Sequence, residues 1–317
     1  MNNTDPGQVL SRLPDDQFFD RAVELRHVCS LASANSAASA SRSIETHDLS
    51  EERAARQRAT SMLVLGPPRS GKTELLRKCF DRLFAEGAGT VPIFLALRPL
   101  AGDTERFARD YLSQFLAQFI AFRRNDPRLI SIADEPLAAV ARVAPPEDYL
   151  WVRSLVDSFV RAHASGDRSL LMRSALAAPA TASARTGLAP FVIIDNFHLL
   201  ADTLNRKQDS GDDRPQDFSL GQLRAEFLRI IASHNGPARA GSVSPVYALC
   251  GLRRPMVEII PPDEELFDRL EPVRVEPLDE EAVEQLIRST AARRGIEMSD
   301  STTELMIQQL NRDLFYT

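Results

Sequence analysis

The chain has 317 residues, of which 44% are hydrophobic and 26% charged, and its formal net charge is −6. That is an ordinary soluble composition, long enough for one large or two smaller buried cores, and its acidic balance gives no general field for nucleic acid. No apolar stretch approaches the ~20 residues that span a bilayer, and the polar, acidic N-terminus does not read as a signal, so a membrane location is not indicated.

Residues 1–17 are polar and turn-rich, and Phe18 to Leu25 open a helix directed towards Leu31. The Ala- and Ser-rich stretch from Ala32 to Ser43 reads as a weak helix or a linker, and Glu51 to Thr60 is strongly helix-compatible. Ser61-Met62-Leu63-Val64-Leu65 is then a short apolar run ending at Gly66, the form of a buried strand. Gly66-Pro67-Pro68-Arg69-Ser70-Gly71-Lys72-Thr73 follows and fits the phosphate-loop pattern GxxxxGK[ST]. Glu74 to Phe80 continue with helical apolar spacing, so the motif stands between strand and helix, as its chemistry requires.

Gly66 and Gly71 permit a tight turn in which successive N–H groups converge on phosphate oxygens, at the positive end of the next helix. Pro67 and Pro68 stiffen that loop, and Arg69, Ser70 and Glu74 complete the candidate nucleotide-binding stretch. Lys72 supplies a point charge for the β- and γ-phosphates and Thr73 a hydroxyl for Mg²⁺. ATP with Mg²⁺ is therefore the expected ligand.

Gly87-Ala88-Gly89 stops the loop helix, and Val91 to Leu97 read as a second strand. Residues 98–189 form a long, mostly helical insertion, with helices over Asp103–Arg124, Glu147–Ala164 and Arg168–Ala178. Phe107, Tyr111, Leu112, Phe115, Phe119 and Phe122 recur at three- and four-residue spacing, a core stripe to which Trp151 adds packing. Ala177 to Pro190 carry few large side chains and read as a linker back into the sheet.

Pro190 to Asp195 are an apolar run ending in a carboxylate, the form of a central parallel strand. Asp195 is placed to hold the Mg²⁺ shell, and the next residue is Asn196, an amide that can orient a water but cannot accept its proton. Residues 205–217 read as an exposed loop, Leu220 to Ser233 as a helix, and Pro245 to Gly251 as another buried strand with Cys250 at its end. Glu264–Leu270 reads as a short helix, Val273–Val275 as a strand, and Asp279–Arg293 and Ser299–Arg312 as helices. The three cysteines, Cys29, Cys79 and Cys250, are far apart, fit no metal spacing and make no even set for disulfides, so a reducing cytoplasm is the expected compartment. Arg123-Arg124, Arg253-Arg254 and Arg293-Arg294 form a basic patch only if the fold brings them together.

In this order the segments resemble the ATPase core of the AAA+ superfamily, in particular its signalling (STAND), archaeal and origin-initiator branches. Phe18-Phe19-Asp20-Arg21-Ala22-Val23-Glu24-Leu25 resembles the F-x-x-R-x-x-E-L box that precedes the phosphate loop there, with Asp20 where glycine is common. Leu266-Phe267-Asp268-Arg269-Leu270 is similar to the segment in which an arginine follows the last core helix, which implies Arg269 as an arginine finger acting on a neighbouring subunit's γ-phosphate. The run Ile194 to Leu200 with Glu265 to Pro272 also resembles the ATPases that assist DNA transposition, from which Asn196 and Leu270 depart.

The resemblance implies an α/β P-loop NTPase sandwich: an N-terminal helix and linker over 1–44, a core over 45–275 and a helical lid over 276–317, open to being cut short. The expected function is that of an ATP-dependent switch, with Lys72, Asp195, Asn196 and Arg269 as catalytic candidates. A homo-oligomer or a separate effector protein is the expected partner. Two rivals stand beside it: a scaffold that holds nucleotide without turnover, favoured by Asn196 and Cys250, and a helper ATPase for DNA transposition or replication, opposed by the net charge.

Overall fold

The computed structural model describes residues 8–13, 18, 20–41, 61–98, 103–200, 220–234, 243–261 and 265–310. Its centre is a five-stranded sheet in the order β2-β3-β4-β1-β5, formed by β1 (Met62–Leu65), β2 (Thr90–Ala96), β3 (Ala189–Asp195), β4 (Val246–Gly251) and β5 (Glu271–Arg274). Every pairing is parallel. The inner strands β3, β4 and β1 are buried on both faces, which is why they read as apolar runs without alternation. Pro92 and Pro272 fall on the two edge strands, where a missing N–H is tolerated.

Alternate strand residues feed two cores. Met62, Val64, Ile193 and Ala248 face α1 (Ala22–Ser41) and α2 (Lys72–Glu86), whereas Leu63, Ile93, Val192 and Leu249 face the other side. That second side is covered by the helical insertion: α3 (Thr104–Arg124), a 3₁₀ segment (Pro127–Asp134), α4 (Leu137–Arg142), α5 (Pro146–Ala164), α6 (Arg168–Leu176) and α7 (Ala178–Thr186). The aromatic stripe of α3 packs inward as its spacing predicts, with Phe115 and Phe119 fully buried. The Gln118 side chain of α3 accepts from the Phe94 N–H at 2.7 Å and donates to the Phe94 carbonyl at 2.9 Å. It thereby acts as a one-residue strand on the open side of β2, a position that otherwise exposes unpaired backbone.

After β3 come a 3₁₀ turn (Phe197–Leu200), α8 (Leu220–His234), β4, α9 (Arg253–Ile259), α10 (Glu265–Asp268) and β5. The helices α11 (Glu280–Arg293) and α12 (Asp300–Leu310) share a smaller core of Leu278, Ala282, Val283 and Ile287 with Met306 and Ile307. Asp279 caps α11 by accepting from the Ala282 N–H at 2.7 Å.

One expectation requires correction. The stretch read as a linker from Ala177 is α7, because small Ala and Ser side chains let this helix approach its neighbours closely: Ala178, Ala182 and Ser183 are buried, and Pro179 sits in the first turn, where its lost N–H costs nothing. Of the two readings of the Ala/Ser stretch after Ala32, helix or linker, the helix is the one found, continuing α1 as far as Ser41. The helix expected over 51–60 and the loop over 205–217 lie outside the described residues.

Candidate phosphate-binding site

The candidate loop leaves β1 at its carboxyl end, on the edge of the sheet where ligands bind in open parallel α/β folds. Gly66 is required by contact: a Cβ there would fall 2.2 Å from the Val275 carbonyl oxygen and 2.8 Å from Ser70 Oγ. Arg69 and Gly71 both adopt left-handed backbone, with φ of 61° and 87°. These reversals curl the chain into the first turn of α2, whose Leu75 N–H donates to the Gly71 carbonyl. The side chains of Pro67, Pro68 and Arg69 face outward, whereas Ser70 is buried. Lys72 Nζ donates to the carbonyls of Gly66 (3.0 Å) and Pro67 (2.5 Å), which holds the ammonium across the loop. Burial lowers its pKa, and the negative charge of the Asp195 carboxylate opposes that shift.

Asp195 ends β3, with β4 between it and β1. Only 3% of Asp195 is exposed; Oδ2 accepts from Thr73 Oγ1 at 2.8 Å and Oδ1 accepts from the Asn196 N–H at 3.0 Å. The fold therefore unites two residues 122 positions apart whose hard oxygens suit Mg²⁺. Asn196 has φ of 59°, which turns the chain sharply out of the strand. Cys250, paired in register with Val64, is fully buried and shares a hydrogen bond with the Asp195 side chain. Its thiol is pushed well above the usual range, first by burial and then by the Asp195 charge, so it stands beside the carboxylate as a neutral group.

Two candidates lie apart from this cluster. The Glu74 carboxylate turns to the N-terminal segment, where Oε1 accepts from the Arg12 and Leu13 N–H groups at 2.6 and 2.8 Å. Arg269 ends the α10 turn immediately before β5, and Glu271 of β5 pairs with Met62 at the beginning of β1. Arg269 is thus at the amino edge of the sheet, a full strand length from the loop of its own chain. Arg123 of the first arginine pair is engaged by Glu147 and Asp148, at 3.1 and 2.7 Å.

The site residues chosen from the sequence omitted Arg21. It is buried, pairs with Glu24 at 2.9 Å, and donates to the carbonyls of Ser70 (3.3 Å) and Glu276. It thus joins the entry to α1, the phosphate loop and the segment leading to α11. The signal was the three-residue spacing of Arg21 and Glu24 in the box before the loop.

A parallel sheet in this order, with a GxxxxGK[ST] loop between its β1 and the following helix, has the α/β sandwich architecture of P-loop NTPases. Among solved structures, the chain is similar to the Aeropyrum pernix ORC1 protein in complex with DNA, at 15% identity and a TM-score of 0.44, over 95% of this chain and 62% of that one. It is similar also to the Aeropyrum pernix ORC2 protein (ADPNP-ADP complexes), at 12% identity and a TM-score of 0.43, over 91% of this chain and 56% of that one. The chain thus spans less than two thirds of the length of either structure. No protein-family model and no curated protein matches it.

Proposed function

We propose that this chain is an ATP-binding module of the AAA+ type that works as a nucleotide-dependent switch. The observation that carries the reading is the hydrogen bond between Thr73 and Asp195, which joins the end of the phosphate loop to the carboxylate of β3. In this reading the loop N–H groups and Lys72 bind the β- and γ-phosphates, and Thr73 and Asp195 hold Mg²⁺. The helices α11 and α12 are a lid whose position depends on the bound nucleotide, and Arg21 links that lid to the loop through Glu276 and Ser70. Arg269, remote from its own loop, is read as an arginine finger acting on the loop of a neighbouring subunit, which makes a homo-oligomer the expected working state.

A second reading, tight retention of nucleotide without turnover, is favoured by the pair that flanks Asp195: Asn196 is an amide and Cys250 a neutral thiol, and neither takes a proton from water at neutral pH. One experiment separates the readings. Phosphate release with Mg²⁺-ATP is measured across a protein concentration series, and the nucleotide content of the same protein is measured after denaturation. Turnover per subunit that rises with concentration and is lost in Lys72→Ala supports an assembling ATPase. Bound nucleotide without turnover supports retention, and neither nucleotide nor turnover would sink both.

A further inference from the structure

We propose that Cys29 and Cys79 are a reversible redox pair, which a small-molecule disulfide such as oxidised glutathione converts into a covalent tie between α1 and α2. The two residues are 50 positions apart in sequence, yet their sulfurs lie 3.2 Å apart in the buried seam between those helices. A disulfide requires about 2.05 Å between sulfurs, so the pair closes by a movement of about 1.2 Å, within reach of small side-chain adjustments. Cys250, the third cysteine, is on β4 beside Asp195 and belongs to the phosphate site.

The two thiols are unequal, which sets the order of events. Cys79 is completely buried and its thiol is raised well above the usual range by burial and then by Cys29. Cys29 retains slight exposure, and the hydrogen bond it shares with Cys79 holds it below the ordinary thiol value against the cost of burial. Arg82 favours the Cys29 thiolate from the next turn of α2 and Glu86 opposes it. The Cys29 thiolate therefore attacks one sulfur of the small disulfide, forming a mixed disulfide and expelling one thiolate. Cys79 then loses its proton and attacks the Cys29 sulfur, expelling the second thiolate. Two protein thiols are oxidised, one small disulfide is reduced to two thiols, and a reducing thiol pool reverses both steps.

Access comes from α1 itself. Among its described side chains, α1 buries Val28, Cys29 and Ala32, with Leu25 and Leu31 partly covered, whereas α2 buries Leu75, Leu76, Phe80, Leu83 and Phe84 in the same core. The rest of α1, from Asn35 to Ser41, carries no large apolar residue in its sequence, and a helix with so few large side chains to anchor it opens more readily than its neighbour. The tie would pin α1 in its docked position, and with it Arg21, whose guanidinium donates to the phosphate-loop carbonyl of Ser70.

The test takes the full chain through a series of reduced-to-oxidised glutathione ratios, followed by alkylation in denaturant and peptide mapping by mass spectrometry. The expected result is the loss of two of three alkylatable thiols, a peptide pair linked through Cys29 and Cys79, recovery with dithiothreitol, and amide exchange in α1 slowed roughly tenfold in the oxidised form. Cys79→Ser should stop at a glutathione adduct on Cys29, and Cys29→Ser should leave Cys79 reduced. Three alkylatable thiols at the most oxidising ratio, or disulfides only between chains, would overturn the proposal, and the wild-type map decides the matter even if a serine variant fails to fold. Because the readout needs no nucleotide, failure here leaves the proposed ATP site standing, and failure there leaves the redox pair standing.

Discussion

The insertion between β2 and β3 and the loop between β1 and α2 belong to one sheet, yet different physics maintains them. In the insertion, volume dominates: Phe119 stacks on Phe115 at 5.9 Å and meets Trp151 edge-on at 5.4 Å. At the loop, a few backbone angles and polar contacts dominate: Gly66 against the Val275 carbonyl, Arg69 and Gly71 in left-handed backbone, and Thr73 against Asp195. The difference teaches that stability and ligand recognition should separate under mutation, since each region spends few residues on the other's task.

The largest effect should come from removing volume. Phe119→Ala is expected to destabilise the fold by about 3–5 kcal/mol, read from the urea midpoint, because it opens a cavity among aromatic rings. The ATP affinity of the folded protein should stay within about twofold; a much larger loss would mean that the insertion shapes the site and would break the comparison. Lys72→Ala should invert the pattern, weakening ATP binding about a hundredfold, or about 2.7 kcal/mol, in an equilibrium titration. Its urea midpoint should change little, because its partners are carbonyls of a loop that is partly open to water.

Next in size is Asp81→Asn, which tests whether the loop helix has a region of its own kind behind it. Asp81 is buried on α2; Oδ1 accepts from the Leu10 N–H at 2.7 Å and Oδ2 accepts from the Ser11 N–H at 3.0 Å. With Glu74 two turns earlier, it straps residues 8–13 along α2. Losing one acceptor should cost about 1–3 kcal/mol. Limited proteolysis should cut the variant faster at residues 8–13, with α3 unchanged; equal cutting rates would show that the strap is held by Val9 and Leu10 packing alone.

The same division explains what could be read from the sequence. Apolar runs and helical spacing announce volume, so β1, β3, β4 and the α3 stripe were legible, with ends shifted by a residue or two. The GxxxxGK[ST] spacing announced the loop because its glycines encode backbone geometry directly. Small-residue packing has no such signature, and α7 therefore reads as a linker in the sequence. Long-range pairing was equally hidden: nothing near Glu74 shows that Arg12 and Leu13 occupy its carboxylate, and nothing near Cys29 points to Cys79. Gln118 reads as one more polar residue on a helix until the edge of β2 arrives beside it.

The smallest effect bears on the residue where composition and geometry give different accounts. Asn196 reads in the sequence as a missing carboxylate, but its φ of 59° places it in the left-handed region, where asparagine is among the few tolerated side chains. Asn196→Glu should therefore cost about 1 kcal/mol in the urea midpoint, whereas Asn196→Gly should hold the midpoint within a few tenths. Phosphate release then separates geometry from chemistry. If Asn196→Glu raises turnover despite its lower stability, the absent carboxylate limited hydrolysis; if turnover is unchanged, the residue is there to turn the chain. A glutamate variant as stable as the wild type would remove the geometric account of this position and leave the loop less strictly specified by backbone than the comparison holds.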